Sequence, residues 1–147
     1  MTDQTTAASS QAIARITDSF TRQSMMQTFG AELVSIDIGR VILTASVGQG
    51  ARQQQGVAHA GLIFALGDTA AGYAALTVMP AEVEVMTVEM KINLLAPGQG
   101  RLVAEGRVIK PGRRLVIVAA DVWAELETGP RKHIATLQGT MIPVELA

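Results

Sequence analysis

The segment from Ala60 to Met79, AGLIFALGDTAAGYAALTVM, is almost entirely apolar and rich in alanine. Its length approaches that of a membrane-spanning helix, which needs about 20 apolar residues. However, Asp68, Gly67 and Gly72 lie near its centre, and no basic residues flank it. Because a charge at the middle of a membrane span is costly, the pattern favours a helix buried in the core of a soluble domain over a membrane span.

Length and composition are typical of one ordinary domain. The chain has 147 residues, a formal net charge of −1 and interspersed charges, so neither nucleic acid nor a membrane is an expected partner. The absence of cysteine excludes disulfides and thiol nucleophiles, and two histidines without ligand spacing predict no metal site and no cofactor. The N-terminus lacks a basic start followed by an apolar run, so we expect a cytoplasmic protein.

The flanking regions predict an α+β fold in which a sheet wraps the apolar helix. Residues 1–10 are polar and are expected to be disordered, whereas residues 11–147 are expected to form a single domain. Helical spacing predicts one amphipathic helix from Gln11 to about Phe29, and Glu32 to Val47 has the pattern of a hairpin. Four further strand-like runs predict a meander, giving an antiparallel sheet of about six strands around one long central helix, plus an N-terminal helix.

Two further expectations follow from this pattern. The run after Pro80, VEVMTVEMKINLLAP, alternates regularly and predicts a long strand whose apolar face includes Met86, Val88 and Met90. A helix that is apolar on nearly every side needs more cover than one small sheet supplies. We therefore predict a homodimer or a larger assembly.

Asp68 is the residue in the apolar segment that most needs an explanation, because an unpaired buried charge is costly. Gly61, Ala65 and Gly72 share its helix face, so a strand backbone or a ligand could approach it closely. The first N–H groups of the helix, after GVAHAG, lack intrahelical partners and lie at the positive end of the helix dipole. N–H donors and a carboxylate suit acyl transfer to water. The alternative is a structural carboxylate with a hydroxyl or N–H partner.

The histidines and aromatic residues allow further interpretations. His59 precedes the helix and is either a structural hydrogen-bonding group or one that titrates during chemistry. His133 lies in a strand-like run without a partner motif, so we interpret it as structural. Phe64 and Tyr73 lie on opposite faces of the helix, so at most one of them is expected to line a ligand pocket.

Two stretches, GVAHAGLIFALGDTAAGYAA (56–75) and TVEMKINLLAPGQGRLVAEGRVIKPGRRLVIVAADVW (87–123), resemble hotdog-fold acyl-CoA thioesterases of the phenylacetate-degradation type. The shared order is a G-x-x-H start, an Asp nine residues after the His, an N-x-x-x-P strand end and a Gly-Arg turn. The resemblance covers roughly residues 30 to 143. It implies hydrolysis of an acyl-CoA thioester to a free acid and coenzyme A, in homodimers that commonly pair into tetramers.

The resemblance also implies roles for individual residues. Asp68 matches the catalytic carboxylate, which acts as a general base or a nucleophile, and Ala60 matches the residue whose backbone N–H polarises the thioester carbonyl. His59 matches the motif histidine that supports this loop, and Thr87 matches a Ser/Thr position near the carboxylate. The site lies between subunits in such dimers, so Asp68 and Thr87 of one chain would face Gln53 and Ala60 of the other.

Two positions depart from the family pattern. The family usually has Gly where this chain has Ala60, and often Asn where it has Gln53. The N–H of Ala60 is retained, but a methyl group is added, and a positive φ there would be strained. These departures make the expected activity depend on the local backbone at Ala60.

Substrate-binding residues are expected at both ends of an acyl-CoA. Gly61 and Phe64 are candidates beside the acyl group. The turn KPGRR, with Lys110, Arg113 and Arg114, could bind the phosphates of coenzyme A, since Lys and Arg suit phosphate. The alternative for this turn is a solvated hairpin.

Two other functions stay open. A hotdog dehydratase or hydratase would need a catalytic histidine before the acidic residue, where this chain has RQQQG. A non-catalytic acyl-CoA-binding protein would use the same pocket, and Ala60 in place of Gly is the feature that favours it. Saturable binding without turnover would distinguish that protein from an enzyme.

Overall fold

One antiparallel sheet packs around a long helix. The structure is a computed structural model that describes residues 6–145. Its helices are α1 (Ser10–Thr21), α2 (Ser24–Thr28) and α3 (Ala60–Leu76), and a short 3₁₀ turn covers Gln49–Ala51. Its strands are β1 (Glu32–Asp37), β2 (Arg40–Ser46), β3 (Val83–Leu94), β4 (Arg101–Pro111), β5 (Val116–Glu125) and β6 (Lys132–Glu145). The α+β fold expected from the sequence is confirmed.

The central helix α3 lies against the sheet along most of its length. It contacts β2, β3, β4, β5 and β6, and side chains such as Leu62, Leu66 and Leu76 are fully buried. The helix ends at Leu76, slightly before the predicted end, and the following Thr77 accepts a hydrogen bond at Oγ1 from Gly39 N–H at 2.7 Å. Gly39, with φ of 73°, forms the β1–β2 turn, so the predicted hairpin is confirmed and is joined to the end of the helix.

The strand order differs from a four-strand meander. The order is β1-β2-β4-β5-β6-β3, so of the four strands after α3 only β4, β5 and β6 are consecutive neighbours, while β3 pairs with β6 at the sheet edge. The chain between β3 and β4 passes the start of α3, where Ala58 N–H donates to Gly98 O at 2.9 Å. Because of this crossing, β4 pairs with β2 rather than with β3.

A β-bulge changes which side chains of β3 face the core, so the single apolar face predicted for this strand is wrong. The register with β6 shifts between Thr87 and Glu89, which reverses the inward and outward positions beyond that point. Before the bulge Val85 packs towards the core, and after it Met90 and Ile92 do. Val88, which simple alternation assigned to the apolar face, is 54% exposed. A strictly alternating pattern could not predict this reversal.

The N-terminal region forms two helices rather than one. Gln23 has an extended backbone, with φ of −79° and ψ of 95°, and separates α1 from α2. The break lets both helices turn an apolar residue inward, because Ile16 and Met26 are 0% and 1% exposed. Residues 1–5 lie outside the described residues. The rest of the segment expected to be disordered pairs with the β1–β2 hairpin, since Ile38 N–H donates to Thr6 O at 2.9 Å.

Arg15 joins α1 to the end of α3. Its Nη2 donates to Leu76 O and its Nη1 to Pro80 O, each at 2.8 Å. Leu76 O also accepts from Met79 N–H at 3.3 Å, so Arg15 adds a second, charged donor to a carbonyl of the last helical turn. We expect Arg15→Met to lower the free energy of unfolding by about 2 kcal/mol, as measured by urea denaturation. Arg22→Met is the control, because Arg22 is 65% exposed and its ion pair with Asp18 contributes at most about 0.5 kcal/mol. Equal losses in the two variants would contradict this role of Arg15.

Candidate functional site

The Asp68 carboxylate is held at one oxygen and free at the other. Thr87 Oγ1, on β3 immediately before the bulge, donates a hydrogen bond to Asp68 Oδ1 at 2.8 Å. The same hydroxyl lies 3.3 Å from the sulfur of Met141 on β6. Among residues 6–145, no group donates to Asp68 Oδ2. The carboxylate is thus oriented by a neutral hydroxyl and keeps one oxygen available to a ligand or a water molecule.

Asp68 opens onto a cavity of about 130 Å³ between the helix and the sheet. The cavity is lined by Asp68, Gly72 and Tyr73 of α3, Val85 and Thr87 of β3, and Gln23 of the α1–α2 link. Gly72 has no side chain that could fill this space. A Cβ built on it would lie 3.8 Å from Met141 Cε, its nearest neighbour, so the space beside Gly72 is open. Of the small-residue face predicted beside Asp68, Gly72 therefore borders an open volume, whereas Ala65 packs against the core and Gly61 lies against His59.

Burial changes the acid–base properties of this carboxylate. Desolvation raises the pKa of Asp68 above its usual value, and the hydrogen bond from Thr87 opposes part of that rise. A carboxylate with a raised pKa is a stronger base than an exposed one. The environment therefore suits a group that accepts a proton during a reaction.

The raised pKa predicts a pH-dependent cost in stability. Between the ordinary value of 3.8 and the higher folded-state pKa, the folded protein binds more protons than the unfolded chain, so stability falls as the pH rises through this window. Above the window the ionised Asp68 stays destabilising. We expect Asp68→Asn to raise the Tm at pH 7, and this gain to shrink as the pH is lowered towards 3.8. A gain of the same size at every pH, measured by calorimetry, would contradict the assignment.

The start of α3 presents an unused N–H group. His59 is the N-cap, and its Nδ1 accepts from Gly61 N–H at 2.8 Å. The exposed Ala60 N–H has no acceptor within the described part of the chain. No residue other than glycine has a positive φ between residues 6 and 145, so the strain considered for Ala60 is absent. The geometry leaves one helix N–H directed to an incoming acceptor while the next is already capped.

Gln53 lies in the loop that closes onto this helix start. Its backbone N–H donates to Val57 O at 2.9 Å, and its side-chain Oε1 accepts from Gln55 N–H. His59 N–H donates to Ala51 O at 2.9 Å, which fixes the same loop to the helix. Gln53, His59 and Ala60 therefore form one group at the N-terminal end of α3.

The predicted site residues form two separate groups within one chain. Asp68 and Thr87 lie together, but Ala60 is eight residues earlier on the same helix. At 1.5 Å per residue this places the two backbone positions about 12 Å apart along the helix axis. A single reacting carbonyl cannot contact both the Asp68 carboxylate and the Ala60 N–H of the same chain.

Neither set of predicted substrate residues lines the Asp68 cavity. Phe64 packs against the hydrophobic core, whereas Tyr73 borders the cavity, so only one of these two aromatic residues lines it. The basic residues Lys110, Arg113 and Arg114 are exposed at the β4–β5 turn. The sheet end that meets the start of α3 lies at Arg101. The turn is nine residues or more along β4 from Arg101, so it lies about 30 Å from that end of the sheet.

The cavity includes Gln23 and Tyr73, which were not among the predicted site residues. Gln23 lay within the helix predicted from Gln11 to Phe29, where a polar residue is typical of a solvent-facing position. Tyr73 was considered only as an alternative to Phe64. The break between α1 and α2 brings Gln23 to Tyr73, and no local pattern in the sequence indicates this contact.

His133 makes contacts outside the cavity that agree with a structural role. Its Nε2 lies 2.9 Å from Asp121 Oδ1, and its ring stacks on Trp123 with centroids 4.3 Å apart. Burial raises the pKa of Asp121, but hydrogen bonds from Arg107 and Thr136 outweigh burial and hold this pKa below its usual value. The cluster thus keeps Asp121 ionised as a partner for its neighbours.

Comparison with known proteins identifies relatives with the same fold. A thioesterase family protein from Silicibacter pomeroyi is 37% identical and superposes with a TM-score of 0.87, covering 91% of this chain and 98% of that one. The PaaI protein of the E. coli phenylacetic acid degradation operon, at 20% identity, superposes with a TM-score of 0.82 over 94% of this chain and 96% of its own. The latter similarity concerns the fold alone.

Two further relatives bear on the chemistry. The protein smu.793 of Streptococcus mutans, solved with acetyl CoA bound, is 28% identical with a TM-score of 0.68, covering 78% of this chain and 89% of that one. A relative from Saccharolobus solfataricus, whose name suggests an esterase, is 31% identical over 91 residues. That match spans 61% of this chain and 64% of the relative's length.

The family assignment rests on the central part of the chain. Between residues 6 and 145, none of the helices is long and apolar enough to cross a membrane. The model of the thioesterase superfamily matches residues 55–129, which include the start of α3, Asp68 and Thr87. The match covers just over half of the 147 residues. The chain therefore belongs to the thioesterase superfamily.

Proposed function

We propose that the protein hydrolyses an acyl-CoA thioester to a free carboxylic acid and coenzyme A. The observation that carries this proposal is the half-buried Asp68, held at Oδ1 by Thr87 and free at Oδ2, beside an open cavity in a chain of the thioesterase superfamily. The acetyl CoA bound to the Streptococcus mutans relative supports a CoA ester as the substrate. A homodimer that pairs into a tetramer, located in the cytoplasm, completes the proposal.

The proposed reaction uses groups that the structure describes. Asp68 Oδ2 takes a proton from a water molecule whose oxygen attacks the thioester carbonyl, or it attacks the carbonyl itself. A backbone N–H of Ala60 stabilises the negative charge that develops on the carbonyl oxygen. When water attacks, its C–O bond forms, the C–S bond breaks, and the proton passes from Asp68 to the thiolate of coenzyme A. When Asp68 attacks, the C–S bond breaks to leave an anhydride, which a water molecule hydrolyses to the free acid and the Asp68 carboxylate, with one proton of that water going to the thiolate. In this scheme Thr87 orients the carboxylate through its hydrogen bond to Oδ1.

We infer that the two groups of site residues come from different subunits. The separation of about 12 Å along α3 prevents one chain from supplying both the carboxylate and the N–H donor to one carbonyl. An antiparallel pairing of two α3 helices would place Asp68 and Thr87 of one chain near Gln53 and Ala60 of the other. Each dimer would then have two equivalent sites, as expected for a two-fold interface.

The substitution Ala60→Pro tests the N–H donor. Ala60 is the first residue of α3, where proline is well tolerated, and His59 before it is extended, with ψ of 143°. Proline removes the N–H and leaves the helix intact. We expect kcat for acyl-CoA hydrolysis, followed by thiol release, to fall by about 100- to 1,000-fold. Ala60→Gly keeps the N–H and is the matched control.

Mixed subunits test whether the site is shared. When Asp68→Asn and Ala60→Pro chains are unfolded together and refolded, mixed dimers carry both defects in one site and none in the other. We expect the mixture to recover about a quarter of the wild-type activity, since half of the dimers are mixed and each has one intact site. No recovery, with mixed dimers verified by mass spectrometry, would show that each chain forms its own site.

The structure weakens the argument for a non-catalytic acyl-CoA-binding protein. That alternative depended on harm caused by Ala60, and Ala60 lies unstrained at the start of α3 with its N–H free. A panel of acyl-CoAs that bind to the folded protein without thiol release would nevertheless favour it. Turnover of one panel member, lost in Asp68→Asn, would favour the enzyme.

A further inference from the structure

Two residues that line the Asp68 cavity, Gln23 and Met141, lie outside the region that matches the superfamily. The matched region covers residues 55–129, whereas Gln23 belongs to the link between α1 and α2. Gln23 and Tyr73 border the cavity at the side away from the start of α3, because Tyr73 lies beyond Asp68 on the helix. The family relationship therefore does not account for this end of the cavity.

Hydrogen bonds hold Gln23 in its place. Its Nε2 donates to the hydroxyl oxygen of Tyr73 at 2.7 Å, and the Tyr73 hydroxyl donates to Ser19 Oγ at 3.1 Å. The ring of Phe20 packs edge-on against Tyr73, with centroids 6.4 Å apart. Both neighbouring helices are anchored in the core through Ile16 and Met26. The end wall is thus a fixed part of the fold.

The size and polarity of this wall restrict what can enter. The cavity has a volume of about 130 Å³, well below the roughly 300–1,000 Å³ of ordinary ligand pockets. Val85 and Met141 give its sides apolar surface, while Asp68, Thr69 and Thr87 give them polar surface. Among the described residues nothing donates to Gln23 Oε1, so a hydrocarbon chain that reached it would prevent this oxygen from bonding to water.

We propose that Gln23, positioned by Tyr73, is a specificity-determining residue that limits the acyl group to short chains. This proposal rests on the proposed function, because it takes the Asp68 cavity as the acyl pocket. A short acyl group fills the apolar sides and stops before the amide of Gln23. A longer straight chain meets both a steric limit and an unsatisfied polar group.

The test compares two substitutions that change the pocket in opposite directions. Gln23→Ala removes the end wall, whereas Gly72→Ala adds a methyl group that would lie 3.8 Å from Met141 Cε and 3.9 Å from Val85 Cγ1, at ordinary contact distance. The panel consists of acetyl-, butyryl-, hexanoyl-, octanoyl- and lauroyl-CoA. We expect Gln23→Ala to raise the ratio of kcat/KM for octanoyl-CoA to that for butyryl-CoA by about tenfold, and Gly72→Ala to lower it.

Controls separate specificity from general damage. Gln11→Ala makes the same chemical change at an exposed position on α1, and its chain-length profile should match that of the wild type. Tyr73→Phe removes the hydroxyl that holds Gln23 and should shift the profile in the same direction as Gln23→Ala, by a smaller factor. Thermal melting of each variant verifies that it folds. An unchanged profile in a folded Gln23→Ala would overturn the proposal.

A binding measurement tests the inference independently of turnover. Non-hydrolysable thioether analogues of the same acyl-CoAs are titrated by calorimetry into wild type, Gln23→Ala and Gln11→Ala. A shift of the tightest Kd to longer chains in Gln23→Ala alone supports the acyl-length limit, even if the wild type hydrolyses none of the panel and the proposed function fails. Turnover together with chain-length preferences that Gln23→Ala leaves unchanged supports the function and overturns the limit.

Discussion

We expect Asp68→Asn to lower kcat/KM for acyl-CoA hydrolysis by about 1,000-fold, because a positioned base contributes about 100- to 10,000-fold. Asparagine keeps the size of the side chain and can still accept the hydrogen bond from Thr87 Oγ1 at its amide oxygen. It cannot take a proton from water or attack a thioester as an anion. Thiol release, measured with a thiol-reactive dye across a panel of acyl-CoAs, provides the readout.

Matched variants make this result specific. Asp18→Asn is the same substitution on α1, at a side chain that is 69% exposed, and should leave kcat/KM unchanged. Thr87→Ser keeps the hydroxyl that donates to Asp68, whereas Thr87→Val removes it at similar volume, so only the valine variant should lose activity. Retention of wild-type turnover in Asp68→Asn would show that the carboxylate is structural.

The second large effect concerns folding. We expect Gly106→Ala to lower the free energy of unfolding by about 4 kcal/mol or more, a large part of the roughly 5–15 kcal/mol by which native domains are stable. Gly106 lies on β4 where the strand passes directly under α3, and a methyl group there would overlap the backbone of Ala70 and Ala71. Backbone cannot move aside as a flexible side chain can. Relief of the overlap would require the helix to move away from the sheet.

A second glycine gives the matched control. Gly48 precedes the 3₁₀ turn with φ of −70° and has no atom within 4 Å of a Cβ built on it. Alanine can adopt this conformation, and it reduces the freedom of the unfolded chain. We therefore expect Gly48→Ala to stabilise the protein by about 0.4–1 kcal/mol in urea denaturation. A Gly106→Ala variant with a wild-type urea midpoint would contradict the close contact between helix and sheet.

The Asp68 side of the cavity was easier to predict than the Gln23 side. Asp68 is conspicuous because a charge in an apolar helix is rare, and its partner Thr87 was inferred from the resemblance. Gln23 and Tyr73 carry no comparable signal. Their contact spans 50 positions in the sequence and depends on how α1 and α2 dock against α3.

In the β3 strand, one feature was predicted from the local pattern and another was determined by pairing with a distant strand. Alternation of apolar and polar residues located the strand over Val83–Leu94 and indicated its length. The bulge after Thr87 then determined which side chains face α3, because one extra residue on β3 shifts its pairing with β6. The sequence contains no glycine at this point to indicate the irregularity.

The sequence by itself determined the elements whose signals are local: the buried helix α3, the hairpin turn at Gly39, the strand-like runs and the carboxylate at Asp68. Periodicity and turn chemistry act over a few residues, so they can be recognised from the sequence alone. Only the tertiary structure decided that β3 pairs with β6, that the N-terminal helix breaks at Gln23, and that Ala60 and Asp68 lie about 12 Å apart along α3. These features depend on contacts between distant segments, which compete for the same core and which no local pattern records.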